Sequence, residues 1–200
     1  VEADWRLGNR DGSTNHQEVT VFNSYDVNGV LMAVGGNGFF LSADPFGSVT
    51  RGRVIQYYDT EMLRTLGQAK IRDSVTQTRT LNADGSSASQ STVVTTTYDA
   101  DGRFDSASGV GSSLSNDGFG NITVSTIEQQ YNLLLSRKFG NAKLDRSLTH
   151  GVSTNRDGSS SVSDSDVANI YDAVTGKQLD STGQIVALNN DGFGNISETI

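Results

Sequence analysis

Asn82-Ala83-Asp84-Gly85-Ser86 leads to Thr92-Val93-Val94-Thr95-Thr96-Thr97, which runs into Tyr98-Asp99-Ala100-Asp101-Gly102. A β-branched run bracketed by two Asp-Gly turns reads as one strand of a hairpin ladder. Branched side chains suit a pleated surface. Asn or Asp opens the turn through its own side chain, and Gly takes the left-handed position that follows. The same grammar predicts turns at 9–12, 26–29, 82–85, 99–102, 155–158 and 189–192. The runs beside them alternate, as in Val19-Thr20-Val21-Phe22 and Ile122-Thr123-Val124. Val21 and Tyr25 share a parity, as do Val94 with Tyr98 and Val167 with Tyr171, so each pair is expected on one, core-facing side of its strand.

Working outward, the stretch recurs. Tyr25-Asp26, Tyr98-Asp99 and Tyr171-Asp172 lie 73 residues apart, and so do Asp11-Gly12, Asp84-Gly85 and Asp157-Gly158. Laying 25–97 over 98–170 without a gap gives 25 identities in 73 positions. Such self-similarity is the signature of an array whose units bury one another. A second block, Arg64, Gly67, Ala69 and Lys70, is matched by Arg137, Gly140, Ala142 and Lys143. A third spans Leu41 to Thr50 and returns as Leu114 to Thr123 and Leu188 to Ser197, the last copy one residue late. The added residue fits Asp172-Ala173-Val174-Thr175-Gly176, which predicts an exposed turn there.

The units are 1–24 (the last third of a repeat), 25–97, 98–170, and 171–200 (the start of another). Val1 falls inside a unit, so the chain is expected to be a stretch of a longer protein with unsatisfied pairing surfaces at both ends. Phe46, Phe119 and Phe193, with Leu41, Leu114 and Leu188, are expected to stack as core columns. Gly47, Gly120 and Gly194 are expected at positive φ or at a close backbone approach. Pro45, the one proline, stands where the other copies carry Gly, which supports a turn in that column. Helix signals are poor: 61–66 and 134–139 lack a sustained 3.6-residue period and are predicted as strands. No linker separates the units. The fold class that follows is all-β: a tandem array of hairpin repeats stacked as a continuous solenoid-like or filamentous sheet. The alternative is a string of small β-sandwiches.

Composition limits the partners. A formal net charge of -8 lacks the concentrated basic face that nucleic acid or an anionic membrane requires. No apolar run is long enough to insert in a bilayer. With no cysteine, disulfides and thiolate chemistry are excluded. Abundant Gly, Ser, Thr, Asn and Asp with few Lys points to an extracellular or cell-surface location.

Sites for chemistry are sparse. His16 and His150 do not recur and read as solvent-facing. Gly35-Gly36-Asn37-Gly38 and Gly109-Val110-Gly111 lack the helix and Lys-Ser/Thr of a phosphate cradle, and read as turns or bulges. Asp164 and Asp166 share a strand face without recurring equivalents, and no charged, unrepeated cluster is evident around them. Asp117, Asn121, Asp191 and Asn195 offer oxygens at short spacing and are candidate calcium ligands. Asp-Gly turns also stand without metal, because the Asp caps its own turn.

Tyr98-Asp99-Ala100-Asp101-Gly102-Arg103 resembles the Tyr-Asp-x-x-Gly-Arg signature of YD (Rhs-type) repeats. Tyr58-Asp59-Thr60-Glu61-Met62-Leu63-Arg64 and Asn116-Asp117-Gly118-Phe119-Gly120-Asn121-Ile122-Thr123 look like degenerate versions. The resemblance implies a secreted, non-catalytic array of β-hairpins. Together these readings lead to a structural repeat of an extracellular filament, stalk or adhesin. Its partners would be itself or neighbouring repeats end to end, or cell-surface carbohydrate or protein. The alternative is a calcium- or carbohydrate-binding adhesion module.

Overall fold

The computed structural model describes residues 2–8 and 11–200, with residues 2–7 by backbone alone. Its strands are β1 (Glu2–Gly8), β2 (Thr14–Tyr25), β3 (Leu31–Ala43), β4 (Val49–Tyr58), β5 (Ile71–Leu81), β6 (Ser87–Tyr98), β7 (Phe104–Asn116), β8 (Ile122–Tyr131), β9 (Leu144–Thr154), β10 (Ser160–Tyr171), β11 (Gln178–Asn190) and β12 (Ile196–Thr199). Helix α1 (Thr60–Leu66) joins β4 to β5, and α2 (Leu133–Phe139) joins β8 to β9. All twelve strands form one antiparallel sheet in sequence order. Each strand pairs with its chain neighbour, and β1 and β12 have one partner strand each. The sheet is an open meander. It closes into neither a solenoid nor a set of sandwiches, because every connection is short enough to return the chain to the adjacent ladder.

The predicted turns fall at 26–30, 82–86, 99–103 and 155–159. Asn9 and Arg10 of the turn expected at 9–12 lie outside the described residues. The turn expected at 189–192 lies two residues later, since Asn189 and Asn190 still pair in β11 and Asp191 receives the closing contact from Asn195. The one-residue insertion sits in the β10–β11 connection, where Asp172 N–H bonds the Lys177 carbonyl. The glycine-rich stretches prove to be mid-strand, in β3 and β7. Gly35 lies under the Phe22 ring, and Gly109 lies under the Gln129 side chain, so the lost Cβ makes room for a cross-strand neighbour.

The two short segments predicted as strands are helices. Asp59 accepts from the Glu61 and Met62 amides, and Gly67 at φ 66° ends the first helix. Asn132 accepts from the Leu135 amide, and Gly140 at φ 70° ends the second. Seven residues are too few to display a helical period, so the caps were the legible signal. The recurring Gly67 and Gly140 are those caps.

A single layer has almost no interior. Among the described residues, Leu63 and Phe104 alone are buried apolar side chains. The expected core columns therefore do not form. Phe46, Phe119 and Phe193 stand 83%, 74% and 89% exposed at the tips of hairpin turns. Leu41, Leu114 and Leu188 do share one row of the sheet, but three strands lie between each and the next. Tyr25 is exposed, whereas Tyr98 and Tyr171 are half-buried, and a register shift precedes each of the three. The chain exposes 12880 Å², against about 9,100 Å² for a compact monomer of its mass by surface scaling.

Ladder hydrogen bonds and cross-strand pairs carry the cohesion. The Thr50 and Thr80 hydroxyls meet at 3.0 Å, and Thr123 meets Ser153 at 2.7 Å at the corresponding place two hairpins on. Residues paired across strands share a face, and successive residues alternate. The register thus sorts the side chains of β2–β12 into two faces. One face carries Glu18, Arg51, Arg53, Arg79, Glu128, Arg146, His150, Asp164 and Asp166. Between the bulges and the turns, the other face holds no Lys, Arg, His, Asp or Glu at all.

Candidate functional site

Register brings the unrepeated titratable residues together. Glu128 on β8 pairs with Leu148 on β9, and Leu148 pairs with Asp166 on β10. One row along, Thr126, His150 and Asp164 are aligned. Strands β7 to β11 thereby line a shallow depression of about 720 Å³ on the charged face, with Val110, Leu148 and Val186 as its apolar floor. Sequence reasoning placed Asp164 and Asp166 on one face, but found no cluster. It missed that Glu128 and His150 join them, because those contacts lie 14 to 38 positions apart in the chain and depend on register.

Each carboxylate of the cluster already has a donor. His150 Nδ1 lies 2.8 Å from Asp164 Oδ1, Gln130 Nε2 donates to Glu128 at 3.1 Å, and the Arg146 guanidinium forks onto both oxygens of Asp166. The Arg146 hydrogen bond holds the Asp166 carboxyl below its ordinary range. The same bond raises the Arg146 guanidinium. A carboxylate kept ionised in this way is a poor general acid, which needs its pKa raised toward neutrality. His150 is half-exposed, as the sequence suggested. His16 is less so, and its ring meets the edge of Phe39 at a centroid distance of 5.3 Å.

A second, smaller depression of about 330 Å³ lies on the same face over β3–β5, lined by Arg51, Arg53 and Arg79. Arg51 and Arg79 stand directly opposite one another on β4 and β5. The charged face is therefore basic over β4–β5 and acidic over β8–β10.

The candidate calcium ligands sit on two separate hairpins, with the β9–β10 turn between them. Asp117 Oδ1 accepts from the Phe119 amide at 2.8 Å and the Asn121 amide at 3.1 Å, while Oδ2 accepts from the Asn121 side-chain amide at 2.5 Å. Asn121 Oδ1 accepts from the Arg156 amide at 3.0 Å. Asp191 and Asn195 repeat the first three contacts at 2.8, 3.1 and 2.6 Å. The Phe119 amide leads the donors that hold the Asp117 carboxyl low, and the Asn195 side chain leads at Asp191. These oxygens close their own turns. Among the described residues, no group of three or more His, Asp or Glu side chains is arranged to hold a metal ion. Gly47, Gly120 and Gly194 complete the turns at φ 98°, 100° and 100°, the left-handed region expected of them.

At the opposite end of the strands, α2 is strapped to β7. Arg137 Nε donates to the Asp105 carbonyl at 2.9 Å, and Nη2 reaches the Asp105 carboxylate at 2.6 Å. Lys138 Nζ extends to the Ala173 carbonyl at 2.5 Å in the β10–β11 turn. Helix α2 thus ties β7 to the later β10–β11 hairpin. Among the described residues no helix is long and apolar enough to cross a membrane.

No family model, no curated protein and no solved structure matches this chain.

Proposed function

We propose that the chain is a non-catalytic structural segment of an extracellular filament, stalk or adhesin, built as a tandem array in which hairpin units extend one continuous sheet. The observation that carries this reading is the spacing of strand boundaries along an unbroken sheet. The strands Thr14–Tyr25, Ser87–Tyr98 and Ser160–Tyr171 start 73 residues apart, and α1 and α2 stand at the same interval. The joint between units is an ordinary ladder, with twelve residue pairs between Ser87–Tyr98 and Phe104–Asn116. A sheet that passes between units in this way lengthens without changing its structure. Its outer strands offer unpaired N–H and C=O groups to the next strand, from the same or another chain. The Tyr-Asp resemblance and the Ser/Thr-rich, cysteine-free composition support a secreted setting.

The test is electron microscopy across a concentration series. Rods or fibres that lengthen with concentration support the reading. Short particles of constant length at every concentration overturn it.

The unrepeated depression on the charged face favours a second reading, an adhesion module for carbohydrate or protein. Its acid and base groups are already hydrogen-bonded, and Asp166 is held ionised by Arg146, which suits hydrogen bonding to a polar ligand better than proton transfer. Calorimetry against a panel of neutral and basic oligosaccharides, with Asp164→Ala as control, separates the two. Heat that vanishes in the variant supports binding. Absence of heat with every sugar removes the carbohydrate form.

A further inference from the structure

The partition of charge between the two faces of the sheet has a physical consequence. In a chain that is 19% charged, chance alone would place several charges on a face this large. One face has none between its bulges and turns. One of its rows recurs unchanged: Val21, Gly36, Gln56 and Ser74 run across β2–β5, and Val94, Gly109, Gln129 and Ser147 run across β6–β9. The equivalent rows of the charged face differ widely. Ile55 and Val75 stand where Glu128 and Leu148 stand two hairpins on. A row of the uncharged face thus returns intact while the neighbouring row of the charged face changes character, which is the pattern of a packing surface backed by a solvated one.

We propose that the uncharged face docks against the same face of a second copy of this chain, giving a two-layered sandwich with both charged faces outward. Three observations commit the proposal to that occupant. First, the chain exposes 12880 Å², some 3,800 Å² beyond the surface scaling for its mass. A standard interface needs about 800 Å² from each partner, so the excess surface is more than enough to supply one. Second, β-domains are built as two packed layers, and this chain supplies one. Third, the complement must be uncharged, long and pleated. The described surface of that kind is this face itself, and a two-fold axis makes a face its own complement. Val19, Val54, Val94, Ile127 and Phe40 supply the knobs, Phe40 lying over Gly52, and Gly38 leaves a gap beside Val19 and Val54. Growth at the sheet edges is a separate matter, so the proposal does not depend on the filament reading.

Ser91 and Thr92 are adjacent on β6, face opposite sides and are both half-buried. The natural chain has no cysteine, so Ser91→Cys and Thr92→Cys each present one thiol. Alkylation rates are read across a dilution series, alongside mass by light scattering. The expected result is a particle of twice 21.3 kDa or a multiple of it, with the Thr92→Cys thiol at least tenfold slower than Ser91→Cys and the gap closing on dilution. Thr76→Lys, on the same face, should halve the mass at unchanged far-ultraviolet circular dichroism, whereas Ser112→Lys, on the charged face, should not. Equal thiol rates at every concentration, or a monomer throughout, would overturn the proposal. A protected Thr92→Cys thiol in a monomeric particle would also overturn it, since the cover would then come from within one chain. Fibres with equally reactive thiols would leave edge growth standing and remove face pairing alone.

Discussion

The Tyr98 phenol donates a 2.7 Å hydrogen bond to the Ile71 carbonyl oxygen. Tyr171 makes the same bond to Leu144 at 2.7 Å. Each tyrosine ends a long strand and reaches over to the start of the β-strand that follows a helix, so it pins the place where that helix rejoins the sheet. Tyr98→Phe should lower stability by about 1 kcal/mol, the net value of one such bond, measured by urea unfolding. Burial, then the nearby Asp59 carboxylate, push the Tyr98 phenol above its ordinary value of 10.0. A group whose pKa rises on folding stabilises fully below its unfolded pKa and loses that contribution above it. The wild type should therefore weaken more steeply than Tyr98→Phe as pH rises past 10.

Acid should loosen the hairpin tips together. Asp44, Asp117, Asp157 and Asp191 all titrate below the ordinary 3.8, led respectively by the Ser48 amide, the Phe119 amide, the Ser159 hydroxyl and the Asn195 side chain. Their folded pKa values are depressed, so their stabilisation is present above the unfolded pKa and disappears as pH falls through the folded ones. The urea midpoint should hold from neutrality to about pH 5 and drop below about pH 4. Asp117→Asn should flatten that drop slightly. An acid-insensitive midpoint would contradict the account of the turns.

Gly120→Val should cost about 1–3 kcal/mol, because a β-branched residue at φ 100° is strained. A Cβ there would meet the Arg156 side chain at an ordinary 3.5 Å, so the cost comes from the backbone. Thermal unfolding of Gly120→Val beside Gly8→Val, whose Cβ would meet nothing within 4 Å and whose φ is not positive, isolates that term.

The two helices are anchored by different chemistry at equivalent positions. Leu63 is 3% exposed, and Leu63→Ala should cost about 2–4 kcal/mol through the cavity it leaves. Ser136 is fully buried and its Oγ accepts from the Lys143 amide at 2.8 Å. Ser136→Ala should cost about 1–3 kcal/mol by stranding that amide. Amide hydrogen exchange checks the second directly: Lys143 should lose protection, while β9 beyond the helix junction keeps it.

Much of the sheet was legible. Thr92 to Thr97 between two Asp-Gly turns could hardly be anything but a strand, since its side chains, its alternation and its brackets agree. The glycines at 47, 120 and 194 were legible for the same reason, because positive φ is a local demand. Helices α1 and α2 were not read as helices, because seven residues give no period and their caps at Asp59 and Asn132 look like turn residues. Phe119 was misread as core because a large aromatic on a repeat column usually has an interior to enter. Here it projects from a turn at the rim of a single layer.

The sequence by itself determined where this chain turns, which residues alternate and at what interval the pattern returns, because φ preferences and side-chain shape act over a few residues. Only the tertiary structure decided that the strands lie in one open layer, that Glu128, His150, Asp164 and Asp166 meet on one face, and that the opposite face carries no charge between its bulges and turns. Register decides these, and register is a property of paired strands. Shifting one strand by a single residue would carry every one of its side chains to the other side.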